Sequence, residues 1–116
     1  MDVLGNLRKE IRKFVDARDW LQFHSPKNLA SSIAIESAEL MEVFQWCGSS
    51  ESVEVAKQKQ QAVADEVADI AIYLIEFAEV VGVDLEKAVL DKLARNEDRY
   101  PVDKAKGSSA KWNELK

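Results

Sequence analysis

The sequence predicts an all-α fold, and three observations support this. Glycine and proline, the residues that most often interrupt helices, number only 4 and 2 among 116 residues. The chain is 47% hydrophobic and 32% charged, a balance typical of globular proteins and not of disordered ones. Apolar residues recur every three or four positions, so they gather on one face of each helix. We therefore expect residues 1–116 to form a single helical domain.

The first predicted helix covers residues 3–15, where apolar side chains follow the helical spacing. Asp2 stands directly before it and can accept hydrogen bonds from the free N–H groups of the first turn. Residues 18–27 interrupt the pattern and include Ser25 and Pro26. We expect this stretch to be an aromatic-rich loop, because proline does not continue a helix but readily starts the next one.

Two further helices follow, and a glycine ends each of them. The second covers residues 29–46 and stops before Gly48, a residue type that adopts the left-handed conformation of a helix terminator without strain. The third segment, residues 51–81, contains neither Gly nor Pro and ends at Gly82. It is therefore either one long helix or a short polar turn that leads into a long helix.

A fourth helix is predicted after Asp84, which can cap it, and it ends no later than Pro101. Residues 102–116 show no apolar periodicity, so we expect them to form an irregular, basic tail. Four helices of these lengths predict an architecture resembling a four-helix bundle.

The third helix carries apolar residues on two of its sides. One side must face the core of the domain, and the other consists mainly of small residues that permit close approach of another helix. We expect a second copy of the chain to pack there, giving a homodimer or a homotetramer that is a dimer of dimers. This second side comprises Ala64, Ala68, Ala71, Ile75 and Ala78.

The charge of the chain limits its partners. Its formal net charge is −5, and binding to a nucleic-acid backbone requires an excess of Lys and Arg, so a nucleic-acid polymer is not expected as a partner. Residues 1–88 carry a net charge of −7 and residues 89–116 carry +2, so the C-terminal part can meet a small anion. The single cysteine and the lack of an apolar run of membrane-spanning length predict a cytoplasmic protein that does not bind membranes.

Two pairs of acidic residues stand on the apolar stripes of the second and third helices. On a helical wheel Glu36 lies within the apolar arc of its helix, and Glu39 lies at the edge of that arc. Glu66 and Asp69 repeat this arrangement on the third helix. Burying ionised carboxylates is unfavourable unless cations accompany them, so packing of these two faces predicts a metal site made of oxygen ligands. Hard divalent cations prefer such ligands, and we expect Mg2+.

An alternative is that these acidic pairs lie on solvated helix faces, where such pairs are common and carry no function. The competing metal sites fit the sequence less well, because a di-iron bundle uses Glu-x-x-His motifs and zinc prefers Cys and His ligands. His24 and Cys47 are the single residues of their types, and neither belongs to an acidic pair.

A stripe of basic and polar residues runs along the fourth helix and continues into the tail. Spacings of three, four and seven residues place its members on one side of the helix, where they can bind the phosphates of a nucleoside triphosphate. The alternative is a solvated charged face that nearby acidic residues partly neutralise. The stripe consists of Lys92, Arg95, Asn96 and Arg99, and it is followed by Lys104, Lys106 and Lys111.

Large aromatic residues lie in the predicted loop and at a helix end. Trp20 and Trp46 can stack on a nucleobase or fill the core, and the sequence favours neither use. His24 can contact a ligand or anchor the loop through a hydrogen bond. Cys47 has no neighbouring base, so we expect no chemistry from it.

Four segments together resemble the MazG-type nucleotide pyrophosphohydrolases, most closely the small single-domain group that includes dCTP pyrophosphatase. The spacing of 26 residues between the E-x-x-E and E-x-x-D motifs is specific in this context. The resemblance implies an all-α fold and a homotetramer. The segments are RDWLQFHSPKNLA (18–30), IESAELMEVFQW (35–46), DEVADIAIYL (65–74) and KLARNEDRYP (92–101).

The resemblance also implies roles for individual residues. The two acidic pairs would bind Mg2+, and Glu36 or Glu39 would in addition orient or deprotonate the attacking water. Where animal dCTP-specific members carry a base-contacting histidine on the first helix, this sequence has Ile11, so that contact is missing or replaced. Residues implied near the nucleotide are Trp20, Trp46 and Tyr73, and those implied at its phosphates are Asn96, Arg99, Lys104 and Lys111.

We therefore expect hydrolysis of a nucleoside triphosphate to the monophosphate and pyrophosphate. The expected substrate is a deoxynucleotide such as dCTP or a modified-base analogue, removed from the nucleotide pool as house-cleaning. One alternative is a non-catalytic helical interaction module. Another is the same fold acting on dUTP or on a phosphoribosyl nucleotide.

Overall fold

The computed structural model describes residues 2–116, and within this range it contains helices and turns but no strand. The predicted all-α fold is therefore confirmed. The α-helices are α1 (Val3–Ala17), α2 (Pro26–Val43), α3 (Ser52–Gln58), α4 (Gln60–Val81), α5 (Leu85–Arg99) and α6 (Val102–Ala105). Short 3-10 turns cover Leu21–Phe23, Ser49–Glu51 and Trp112–Glu114.

Contacts along the backbone divide the chain into two compact units, one ending at Val83 and one formed by Asp84–Lys116. In the first unit α4 packs chiefly against α2 and also against α1. Apolar side chains of these three helices form its core, and their removal from water is the main force that holds the helices together. The buried apolar residues are Val15, Leu29, Ile75 and Ala78. The expectation of a single domain over residues 1–116 stays a prediction.

Side chains cap three of the helices. Asp2 caps α1 by accepting a hydrogen bond from the Gly5 N–H at 2.7 Å, as its position before the helix predicted. Ser25 caps α2 in the same way, and Pro26 is the first helical residue, where its missing N–H is not needed. Asp84 caps α5, which confirms that expectation as well.

The structure corrects the boundaries of the second and third predicted helices. The second ends at Val43 and not at Trp46, because the backbone turns at Phe44 and continues through tight turns to Cys47. Of the two alternatives for the third segment, one continuous helix is wrong, because Lys59 separates the short helix α3 from the long helix α4; the polar stretch before α4 is itself helical and not a turn. The predicted end at Gly82 is confirmed: this residue has a φ of +74°, which glycine adopts without a steric penalty.

The second unit consists of α5 and the tail. The tail was expected to be irregular, yet it contains α6 and the 3-10 turn at Trp112–Glu114. The guanidinium of Arg99 lies over the ring of Trp112, 5.0 Å from its centre, and this cation–π contact joins the tail to α5.

The second apolar side predicted for the third helix is only partly free in this structure. Ile75 and Ala78 are buried in the core of the first unit, whereas Ala64, Ala68 and Ala71 are exposed. A helical wheel places all five residues on one side because it does not show where along α4 a neighbouring helix ends.

Within residues 2–116 no helix is both long and apolar enough to cross a membrane.

Candidate functional site

Helices α2 and α4 bring three carboxylates together. Glu36 and Glu39 stand one turn apart on α2, and Glu66 stands on α4. One oxygen from each lies within 4.8 Å of the other two. Asp69 follows Glu66 by one turn of α4 but is exposed and outside this group. The structure therefore joins three of the four carboxylates that the sequence singles out, and we call them the three-carboxylate cluster.

Two oxygens of the cluster are buried without a hydrogen-bond partner. They are Glu36 Oε2 and Glu66 Oε2. Within residues 2–116, no other buried side-chain oxygen or nitrogen lacks a hydrogen-bond partner. A buried carboxylate oxygen without a donor is costly, because it has lost its water and gained nothing in return. A proton or a cation shared between the two side chains would remove this cost.

The electrostatics of the cluster favour protonation when no cation is present. The neighbouring Glu66 carboxyl, together with burial and the charge of Glu39, raises the pKa of Glu36 from 4.5 to about 7. The pKa of Glu66 is also raised: the Glu36 carboxyl lowers it, but burial and the charges of Glu39 and Asp69 outweigh that effect. At neutral pH the cluster therefore holds less negative charge than its three carboxyls could carry.

The donor set of the cluster fits a hard divalent cation. All three ligating atoms are carboxylate oxygens, which suit Mg2+, and no nitrogen or sulfur is among them. The residues that zinc prefers are engaged elsewhere. Cys47 Sγ donates to the carbonyl of Phe44 at 3.4 Å, and His24 Nδ1 bonds to Glu76 Oε2 at 2.8 Å.

A cavity of about 410 Å³ opens beside the cluster. Its walls include Glu39 and Glu66, so a molecule in the cavity would touch the same carboxylates. Sequence reasoning missed two wall residues, Glu42 and Lys59. Glu42 stands three residues after Glu39 and continues the acidic spacing, so the sequence could have indicated it. Lys59 stands at a break between helices whose position no Gly or Pro marks. The remaining walls are Val43 and Ala62.

The aromatic residues predicted near a ligand occupy different environments. Trp20 is 43% exposed and stacks edge-on against Phe14 of α1, with ring centres 5.5 Å apart. Trp46 is 91% exposed, so the first unit does not use it to fill the core. Tyr73 is half-buried on α4, seven residues after Glu66 and therefore on the same side of the helix. His24 is half-buried and paired with Glu76.

The predicted phosphate-binding stripe lies in the second unit. Lys92, Arg95, Asn96 and Arg99 follow one another along α5, and Lys104 lies in α6. Asn96 is half-buried, and the basic residues of the stripe are exposed. Lys92 and Asn96 line a cavity of about 340 Å³ together with Ala88, Val89 and Leu93. Lys111 is exposed directly before the last 3-10 turn.

The chain is similar to several known proteins. Residues 31–115 match the MazG-like family. The chain is 39% identical to dCTP pyrophosphatase 1 of Rattus norvegicus over 114 residues, which covers 97% of this chain and 67% of the relative. The Homo sapiens dCTP pyrophosphatase 1 is also 39% identical over the same shares. The crystal structure of a pyrophosphatase from Archaeoglobus fulgidus superimposes with a TM-score of 0.84 at 42% identity, covering 87% of this chain and 94% of that one.

Proposed function

Because this chain belongs to the MazG-like family and is a nucleoside triphosphate pyrophosphohydrolase, we propose that it hydrolyses a deoxynucleoside triphosphate with the help of Mg2+. The products are the nucleoside monophosphate and pyrophosphate. We propose dCTP or a modified-base analogue as the substrate, since the relatives named above are dCTP pyrophosphatases. The observation that carries the proposal is the three-carboxylate cluster with its two buried, unpartnered oxygens.

Glu36, Glu39 and Glu66 are the proposed ligands of the cation, and Asp69 is proposed as a fourth from its place one turn after Glu66. When bound, Mg2+ would neutralise phosphate charge and lower the pKa of a coordinated water. Three carboxylates lie together in a partly buried site, and two of their oxygens have no hydrogen-bond partner, which supports this assignment.

The chemistry at phosphorus requires a base for the attacking water. The water oxygen forms a bond to the α-phosphorus, the bond to the bridging oxygen breaks, and pyrophosphate leaves. The water proton passes to a carboxylate oxygen of Glu36 or Glu39. The pKa of about 7 describes Glu36 in the cluster without a cation, and a cation bound there would lower it, so this pKa does not choose between the two residues.

The remaining proposed contacts form two groups, one at the base and sugar of the nucleotide and one at its phosphates. Aromatic rings stack on bases, and basic side chains neutralise phosphates as the pyrophosphate leaves. Partly exposed rings in the first unit support the first role, and the exposed stripe on α5 supports the second. We propose Trp20, His24, Trp46 and Tyr73 near the base and sugar, and Lys92, Arg95, Asn96, Arg99, Lys104 and Lys111 at the phosphates.

We also propose that the chain acts as a homodimer or a homotetramer. Several apolar side chains of α4 are exposed, including Val67 at 51% and Leu74 at 41%, and they adjoin the exposed alanines of the same helix. A helix that is apolar toward solvent is typically covered in the assembled protein. A second copy of the same helix offers a matching surface.

A panel experiment tests the proposed activity. Pyrophosphate release is measured from canonical and modified dNTPs and NTPs, with Mg2+ and with EDTA, and E39Q serves as the blank. Metal-dependent release with a preferred base supports the proposal and identifies the substrate. If a folded protein releases pyrophosphate from none of these nucleotides, the proposed substrate class is wrong.

A further inference from the structure

A buried carboxylate outside the cluster connects three segments of the first unit. Glu76 of α4 is only 2% exposed, although glutamate is normally a surface residue. Its Oε1 accepts a hydrogen bond from Arg12 Nη2 of α1 at 2.6 Å. Its Oε2 bonds to His24 Nδ1 at 2.8 Å, in the segment between α1 and α2. We call these three residues the Glu76 clamp.

The three residues of the clamp stay together because burying the Glu76 carboxylate without partners would be unfavourable. A carboxylate taken out of water needs a partner for each oxygen, and Glu76 has one for each. Withdrawal of His24 would leave Oε2 buried without a donor. The position of the His24 ring is therefore tied to α4 and, through Arg12, to α1.

The clamp also decides where the His24 ring carries its proton. A carboxylate oxygen only accepts hydrogen bonds, so Nδ1 must be the donor in the bond to Glu76. The opposite nitrogen, Nε2, has no hydrogen-bond partner in the described residues and is not among the buried unpartnered atoms. It is therefore not fully buried, and in the neutral ring it is a hydrogen-bond acceptor for a ligand.

The segment that the clamp holds also carries Trp20. This ring packs against Phe14 at one end of the segment, and Asn28 Nδ2 donates to the Phe23 carbonyl at 3.0 Å near the other end. His24 is the point at which the segment is tied to α4. Loss of that tie would detach from α4 a segment that carries two of the proposed nucleotide contacts.

We propose that Glu76 is a positioning residue for nucleotide binding, which fixes the ring and the proton of His24 and holds the segment between α1 and α2 in its binding position. This inference rests on the proposed function. Glu76 does not touch the nucleotide itself. Its effect is therefore expected on the affinity for the nucleotide and not on the chemical step.

The same two helices offer a matched control. Glu79 lies three residues after Glu76 on α4 and pairs with Arg8 of α1, with 3.7 Å between Oε2 and Nε. That pair is exposed, and within residues 2–116 no hydrogen bond or ion pair joins it to His24. E79Q removes the same charge from the same helix pair without touching the clamp.

The first test reads the proton of His24 directly. Because the chain has one histidine, nitrogen-detected NMR of the untagged protein shows a single imidazole, and its two nitrogen shifts identify the tautomer. At a pH where the ring is neutral, we expect the Nδ1–H form in the wild type and in E79Q. We expect E76Q to lose it, because an amide can donate to Nδ1. An Nε2–H ring in the wild type would overturn the inference.

The second test measures kinetics with dCTP, or with the nucleotide that the panel identifies. We expect E76Q to raise KM about tenfold while kcat changes less than about twofold, and we expect E79Q to match the wild type. H24Q leaves the pair of Glu76 and Arg12 intact, and it should raise KM as E76Q does. In the double variant E76Q/H24Q the two effects should not add, because they remove the same contact.

The outcomes separate this inference from the proposed function. An active wild type in which E76Q and H24Q keep the wild-type KM, or lose only kcat, overturns the role of Glu76. A wild type without turnover overturns the proposed function and with it the positioning role. If E76Q does not fold, the tautomer of His24 in the wild type decides in its place, because an Nε2–H ring overturns the inference.

Discussion

Glu36 on α2 and Glu66 on α4 meet with one oxygen each buried and without a hydrogen-bond partner. Most buried polar groups in proteins are paired, so two unpaired carboxylate oxygens side by side indicate a site that functions with something bound between them. Glu39 stands within reach of both and adds a third oxygen.

Removal of one carboxylate should abolish activity without unfolding the protein. E39Q is expected to lower kcat on the order of 100-fold or more, because it removes both a proposed metal ligand and a candidate base. Glu39 is exposed, so the fold should tolerate the amide. The control is E42Q, which changes a carboxyl in the wall of the same cavity but outside the cluster. Turnover of E39Q equal to that of E42Q would contradict the role of Glu39.

Divalent cations should stabilise the folded protein through the cluster. Free Mg2+ at a hundred times its dissociation constant adds about 2.7 kcal/mol to the free energy of unfolding if it binds only the folded state. Thermal unfolding in MgCl2 is compared with NaCl of equal ionic strength, in the wild type and in E66Q. A rise in Tm that E66Q shares in full would show that the cation binds elsewhere.

In EDTA, the stability of the protein should fall as the pH rises through neutrality. The pKa of Glu36 is raised from 4.5 to about 7 in the folded state, so the fold favours its protonated form. The resulting stabilisation is present below the ordinary pKa and is lost as the pH rises through about 7. Chemical unfolding between pH 4.5 and 8 measures the effect. E36Q should have a flatter pH profile than the wild type, and equal profiles would refute the assignment.

A charge on the exposed apolar face of α4 should break the assembly. L74E places a carboxylate where the proposed subunit contact would bury it, and Leu74 is 41% exposed in the single chain. Light scattering coupled to size exclusion should show a smaller species than the wild type. V53E is the control, since Val53 lies on α3 and is 67% exposed. Elution of the wild type as a monomer would contradict the proposed homodimer or homotetramer.

Truncation of the most buried leucine should destabilise the first unit strongly. Leu29 of α2 is 1% exposed, so L29A leaves a cavity and should cost about 2–5 kcal/mol of the free energy of unfolding. I35A on the same helix removes a side chain that is 57% exposed and should cost much less. Urea unfolding followed by circular dichroism gives both values, and similar losses in the two variants would be inconsistent with this core.

Local features of the sequence predicted the helices well and their ends less well. Asp2, Asp84 and Gly82 act within one turn of their own helices, so their roles can be recognised without knowledge of the fold. The sequence left open whether residues 51–81 form one helix or a short polar turn before a long helix, because neither Gly nor Pro marks the break at Lys59. The early end of α2 at Val43 has the same explanation, since the following aromatic residues are compatible with a helix.

The acidic site was predictable in part. Glu36, Glu39 and Glu66 each lie on an apolar stripe, and packing of two such stripes brings their carboxylates together. Asp69 lies on the same helix but outside the cluster, a difference of position that periodicity does not resolve. Lys59 lies in the cavity wall at the break between α3 and α4, so its position depends on where that break occurs.

Glu76 and Glu79 show most clearly what the sequence can predict and what only the tertiary structure decides. Both are glutamates near the end of α4, and both pair with an arginine of α1. One is buried with His24 and the other is largely exposed. The sequence by itself determined the helices, their caps and the acidic stripes, because these depend on neighbours within one or two turns. Only the packing of α1, α2 and α4 decided which carboxylates meet and which are buried, because burial depends on residues far apart in the chain.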